Sequence, residues 1–210
     1  MARAADGDRA EVAMWEARAR RLVTLAGHAG DEETARAGLT DEATTVRAAS
    51  LGALARMDRL ATTDLVAALA DPARDVRRRA CELSLGQPDV DLRRMLTDPE
   101  PLVVEAAAWA VGERCDRSAV DALAQVTSDH PDPLCREAAV AALGAIGDER
   151  GLPAILAAQD DRPAVRRRAV IALAPFQGPA VDAALERARQ DRDWQVRQAA
   201  EDLTDEPTER

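Results

Sequence analysis

The chain has no lysine and no tyrosine, a single phenylalanine and an aromatic content of 2% over 210 residues. Without lysine there is no amine for a Schiff base and no phosphate-cradling Walker loop, whose chemistry needs that side chain. So few aromatic rings argue against a surface on which nucleobases stack. Only two histidines occur, His28 and His130, far apart in the chain, so histidine-based metal or triad chemistry is not expected. The three cysteines, Cys81, Cys115 and Cys135, have no C-x-x-C spacing, and an odd number points to a reducing compartment. No apolar run is long enough for a membrane span and the first residues contain no apolar signal region, so a cytoplasmic, non-membrane protein is expected.

What is present is alanine, leucine, valine and arginine in a repeated order. The segment Asp160 to Leu173 reads DDRPAVRRRAVIAL, and its pattern recurs around Val46, Val76, Val103, Cys135, Val165 and Val196. The spacing of these six anchors stays near 30 residues, the signature of stacked helical hairpins. Four positions after each anchor comes a small residue: Ser50, Ala80, Ala107, Ala139, Ala169 and Ala200. Anchor, +4 and +7 or +8 share one helix face, so they define the core stripe, and the small +4 residue lets a neighbouring helix approach. The expected fold is all-α: a right-handed alpha-alpha superhelix of about six helical hairpins. Residues 1–30 form a capping helix region in which Trp15 covers the open core. The solenoid occupies 31–204, and 205–210 form an acidic disordered tail. First helices are expected near 60–70, 89–96, 117–127, 149–158 and 178–189.

Two further positions repeat. Aspartates Asp41, Asp71, Asp98, Asp160 and Asp191 stand five before their anchors and read as helix N-caps; Asp129 stands six before Cys135, which implies an insertion. The residue after the anchor is arginine in five of the six repeats: Arg47, Arg77, Arg136, Arg166 and Arg197, with Val104 as the exception. The expectation is a structural ladder of Asp71, Arg77, Asp98, Arg136, Asp160, Arg166, Asp191 and Arg197. In it each arginine reaches a capping aspartate, and one central aspartate is left without its arginine because of Val104.

The motif Asp-x4-Val-Arg-x2-Ala with a following Leu-Gly, as in Cys135–Gly144 and the neighbouring Ile146-Gly147-Asp148, resembles HEAT repeats, and most of all the short form found in bilin-lyase-type proteins. The resemblance covers residues 30 to 204. It implies a scaffold that binds a protein partner on a concave face, with a bilin-lyase-like role in prosthetic-group attachment as the alternative. HEAT-like deoxyhypusine hydroxylases bind iron through repeated His-Glu pairs, which this chain lacks, since Ala29 and Pro131 follow its histidines. HEAT-like DNA glycosylases need a basic groove. The net charge of −10, and glutamates at Glu105 and Glu137 between Arg78 and Arg167, argue against a phosphate track. No catalytic, cofactor-binding or metal-binding residue is assigned, and the chain is expected not to be an enzyme. By helical angle the open side of the second helices is +2, +6 and +9, which puts Arg78, Glu82, Glu105, Trp109, Glu137, Arg167 and Ile171 on the partner face, with Trp109 as its anchor.

Overall fold

In the computed structural model the backbone is described for residues 2–205 and the side chains for residues 13–204. The fold is all-helical, an α-hairpin repeat, with twelve α-helices and no strand among the described residues. They are α1 (Ala2–Ala29), α2 (Glu32–Ala37), α3 (Thr44–Arg56), α4 (Thr62–Leu69), α5 (Arg74–Leu83), α6 (Pro101–Glu113), α7 (Val120–Asp129), α8 (Pro133–Ile146), α9 (Leu152–Ala157), α10 (Pro163–Ala172), α11 (Pro179–Arg189) and α12 (Trp194–Asp205). The chain divides into two compact units, Met1–Val90 and Asp91–Arg210.

In the first unit the second helices stack as α1 on α3 and α3 on α5, with α2 and α4 behind them. The second unit repeats the arrangement as α6 on α8, α8 on α10 and α10 on α12, with α7, α9 and α11 behind. All six anchors and all six +4 residues are buried. Prolines at the first turns of α6, α8, α10 and α11 fit because an N-terminal N–H has no partner inside its own helix.

A second close contact came from positions the sequence reading placed on the partner face. At +9, Gly112 meets Ala142 and Gly144 meets Ala172, the +7 alanines of the following repeats. A Cβ on Gly112 would fall 2.9 Å from the Ala142 Cα, and one on Gly144 would fall 2.7 Å from the Ala172 Cα. The +9 position therefore belongs to the seam between helices, not to the open face.

Two further expectations are corrected. Trp15 does not cover the core; it is exposed on α1, whose packing side is Ala19, Val23, Ala26 and Gly27. The helix expected near 89–96 is only a 3-10 segment, Arg93–Thr97, because its repeat is short and Asp91 folds the chain into a turn by accepting the Arg93 N–H at 2.9 Å. Val90, Leu92 and Leu96 nevertheless fill the core. The acidic tail lies outside the described residues beyond Asp205.

Candidate partner-binding face and arginine ladder

The ladder arginines act as two-way clamps. Arg47 donates through Nε and Nη2 to both carboxylate oxygens of Asp71, each at 2.8 Å, and through Nη1 to the carbonyls of Asp41 and Glu42. Arg166 repeats this with Asp191 at 2.8 and 2.7 Å while its Nη1 holds the Asp161 carbonyl. Each guanidinium thus ties its own turn to the next hairpin, which suits a rigid planar fork of five donors. Arg77 Nη1 holds the carbonyls of Asp71 and Pro72 in the same manner.

The aspartates are not N-caps. Asp41, Asp71 and Asp98 stand two residues ahead of the N-cap and close a short turn by accepting the N–H of Ala43, Ala73 and Glu100. Arg136 pairs with Asp161 at 2.6 and 2.7 Å, not with the expected Asp160. The reason is local: a 3-10 turn, Ala158–Asp160, extends α9 and shifts the turn by one residue, leaving Asp160 exposed. Arg197 donates to the carbonyls of Asp191 and Arg192 and, among the described residues, meets no carboxylate.

Nor is there an insertion at Asp129. His130 occupies the −5 position, and its Nδ1 accepts the Asp132 N–H at 3.1 Å, as Asp71 accepts that of Ala73. Its carbonyl receives Arg136 Nη1 at 2.8 Å. No aspartate is left unmatched by Val104, because the position it would have served carries a histidine.

The paired carboxylates are held ionised. Hydrogen bonds from Arg136 lower the pKa of Asp161 against the opposing effect of burial, and Arg166 does the same for Asp191. At Asp71 burial works against ionisation, but Arg47 and the Ala73 N–H more than offset it. Asp148 lies outside the predicted ladder. It is a buried carboxylate that accepts from Arg150 and from Arg117, which together hold its pKa well below the usual range. Its signal was the D-x-R spacing shared with Asp91 and Arg93.

On the open face of the second unit, Trp109 is 44% exposed on α6 with Glu105 exposed one turn before it. Glu137 on α8 is half-buried and takes Arg168 Nη2 of α10 at 3.4 Å. Arg167 and Ile171 are exposed and border a groove of about 320 Å³ between α10 and α12, whose other wall carries Trp194, Gln198 and Leu203. Here the tight glycine–alanine seam gives way to Ala174 and Leu203, and the surface opens. Arg78 and Glu82 belong to the first unit. Arg78 is exposed, and Glu82 is bound by Arg78 at 3.3 Å and by Arg79 at 2.9 Å.

The sequence reading missed Trp194, Leu102 and Leu134, all exposed. Leu102 and Leu134 stand one before their anchors, a position that the same angular reckoning puts on this face once it is extended one turn backward. Among the described residues no group of His, Cys, Asp and Glu is placed to hold a metal ion, and no helix is long and apolar enough to cross a membrane.

The HEAT repeats family matches residues 91–162 and again 130–203, together more than half of the chain. The chain belongs to the HEAT-repeat family. No curated protein matches its sequence. Among solved structures it is similar to YibA of Escherichia coli, with 21% identity and a TM-score of 0.62 over 85% of this chain and 71% of that one. It is similar to the CpcE–CpcF complex of phycocyanin lyase from Nostoc sp. PCC7120, with 24% identity and a TM-score of 0.60 over 80% and 74%. A designed armadillo repeat protein in complex with the peptide (KR)4 aligns at 16% identity and a TM-score of 0.50 over 94% and 93%. At these identities the likeness concerns the fold alone.

Proposed function

We propose that the chain is a non-enzymatic adaptor, and that the second-helix face of residues 91–210 holds a segment of a partner protein. The observation that carries this reading is the exposure of Trp109 and Trp194 at the two ends of one row of helices, with Glu105, Glu137 and Arg167 between them. Large aromatics ringed by polar groups are the residues that dominate protein interfaces. The same reading places the protein in the cytoplasm, which its free cysteines support. Nucleic acid is a poor match for a face that sets Glu105 and Glu137 beside Arg167.

The test is selection of peptides from a random display library on the immobilised chain. Selected peptides should lose about 30-fold in affinity for Trp109→Ala or Trp194→Ala, the loss expected of a hot spot near 2 kcal/mol. The melting temperature of both variants should stay close to that of the wild type. Peptides that bind both variants unchanged would place the interaction elsewhere. A second reading, assistance in attaching a prosthetic group, draws on the likeness to the phycocyanin lyase subunits. It predicts a shift in tetrapyrrole absorbance on mixing, whereas an adaptor leaves that spectrum unchanged.

A further inference from the structure

In the first unit, helices α1, α3 and α5 pack as one row. By helical angle the open side of that row carries Arg20 on α1, Arg56 on α3, and Arg78 and Arg79 on α5. Arg20, Arg56 and Arg78 are exposed, and Arg79 is half-buried. Between the flanking helices α3 shows only Ala48, Ala49 and Gly52, a floor of small residues below the arginines. Two guanidinia reach back over a glycine of the preceding helix. Arg79 Nη2 lies 3.1 Å from where a Cβ on Gly52 would stand, and Arg56 Nη1 lies 3.1 Å from that of Gly27. Charge on this face is not balanced. Arg20 and Arg56 meet no carboxylate among the described residues, and Arg78 and Arg79 share one, Glu82, at 3.3 and 2.9 Å. Asp75 stands 4.0 Å from Arg74, and Glu16 is half-buried one turn before Arg20. The corresponding positions of the second unit carry the opposite excess: Glu105, Glu113, Glu137 and Asp202 against Arg167 and Arg168. A positive excess here stands out on a chain of net charge −10.

We propose that this face of the first unit binds an acidic, extended segment of a partner protein. The segment's backbone crosses the small-residue floor of α3, and its carboxylates are taken by Arg20, Arg56 and Arg79. The occupant follows from the donors and their spacing. A guanidinium with free N–H groups is a planar fork that matches a carboxylate through two hydrogen bonds. Packed helices stand about 10 Å apart, so the row from α1 to α5 is about 20 Å wide. An extended chain crosses that width in about six residues. A nucleic acid fits less well, because the patch offers no aromatic ring to a base and sets Asp75 and Glu82 among its arginines. This surface is separate from the Trp109 and Trp194 face and needs neither residue.

Fluorescence anisotropy of labelled hexaglutamate with the full chain should show saturable binding in the micromolar range at low salt, weakening as salt is raised. Arg56→Ala combined with Arg79→Ala should weaken binding at least about tenfold. Arg162→Ala, which removes an exposed arginine of the second unit, should leave it unchanged. Gly52→Glu supplies a competing carboxylate on the floor itself. Its side chain displaces only the flexible end of Arg79, so binding should be lost while the melting temperature is kept. If that variant fails to fold, the arginine pair still decides. No saturable binding at low salt, equal weakening by Arg162→Ala, or binding retained in the arginine pair would overturn the proposal. So would single-stranded DNA of the same charge that binds more tightly and is lost in the same pair.

Discussion

His130 Nδ1 accepts the backbone N–H of Asp132 at 3.1 Å, in the place where the other turns use an aspartate oxygen. One repeat earlier, where the ladder otherwise sends an arginine toward that place, stands the fully buried Val104. The two departures belong together: an imidazole in this place presents no carboxylate for a guanidinium to answer, and a valine offers no guanidinium.

That pairing makes a double-mutant cycle informative. His130→Asp alone puts a carboxylate where no arginine answers it and should cost about 2 kcal/mol. Val104→Arg alone places a charge in an apolar site and should cost about 3 kcal/mol or more. Urea denaturation of the double variant should recover at least about 1 kcal/mol of the summed loss, the sign of a direct coupling. Simple additivity would break the link between the two positions.

The ladder aspartates make a specific contribution at low pH. The pKa values of Asp71, Asp161 and Asp191 are all depressed by their arginines. Their stabilisation is therefore fully present above the unfolded value of about 4 and is lost as pH falls through the lower folded values. Thermal stability should drop steeply in that acid range, and Asp191→Asn should flatten the drop. Asp191→Ala at neutral pH leaves the well-buried Arg166 without its carboxylate and should cost about 3 kcal/mol.

Gly144 tests the seam. An alanine there must displace the Ala172 backbone, so Gly144→Ala should cost about 1–3 kcal/mol despite the better helix propensity of alanine. Gly86 has open space around its missing Cβ. It is the control, and Gly86→Ala should fall within about 1 kcal/mol of the wild type.

The three thiols should react in two classes. Cys135 is a buried anchor whose Sγ faces the Pro101 carbonyl at 3.3 Å, and burial together with Asp132 and Glu105 pushes its pKa up to about 11. Cys81 is also buried, whereas Cys115 is exposed. Native protein at neutral pH should consume one equivalent of a thiol reagent quickly, at Cys115, and the other two only on unfolding. Cys115 also adopts a left-handed backbone conformation, with φ of 50°, just past the end of α6. Cys115→Gly should therefore raise stability by about 1 kcal/mol.

Much of this architecture could be read from the chain, because each hairpin repeats the same few residues. The Val, small-residue and apolar spacing located all six second helices and their buried side. What the spacing could not carry was the path of the turns. Asp160 and Asp161 are adjacent, and which of them takes Arg136 depends on a 3-10 turn that ends α9. His130 holds the place of the turn aspartate, and the neighbouring Asp129 drew the spacing argument to an insertion instead. The +9 glycines were assigned by angle alone to the open face, although a glycine there signals that a neighbouring backbone comes close. Trp109 was found because +6 falls on the open side, while Trp194 was overlooked because it stands before its anchor, where the angles were not carried back.

Between α8 and α10 the repeats are joined along two lines, the Gly144–Ala172 contact and the Arg136–Asp161 clamp. One line stops the helices from separating and the other stops them from sliding closer. The spacing of side chains across this pair is then a fixed pitch, set before any partner arrives. A bound segment would be gauged against a ruler rather than gripped by a closing hand. Little ordering entropy would be lost on the protein side, and a ligand whose contacts were out of step by one residue would be rejected by geometry alone.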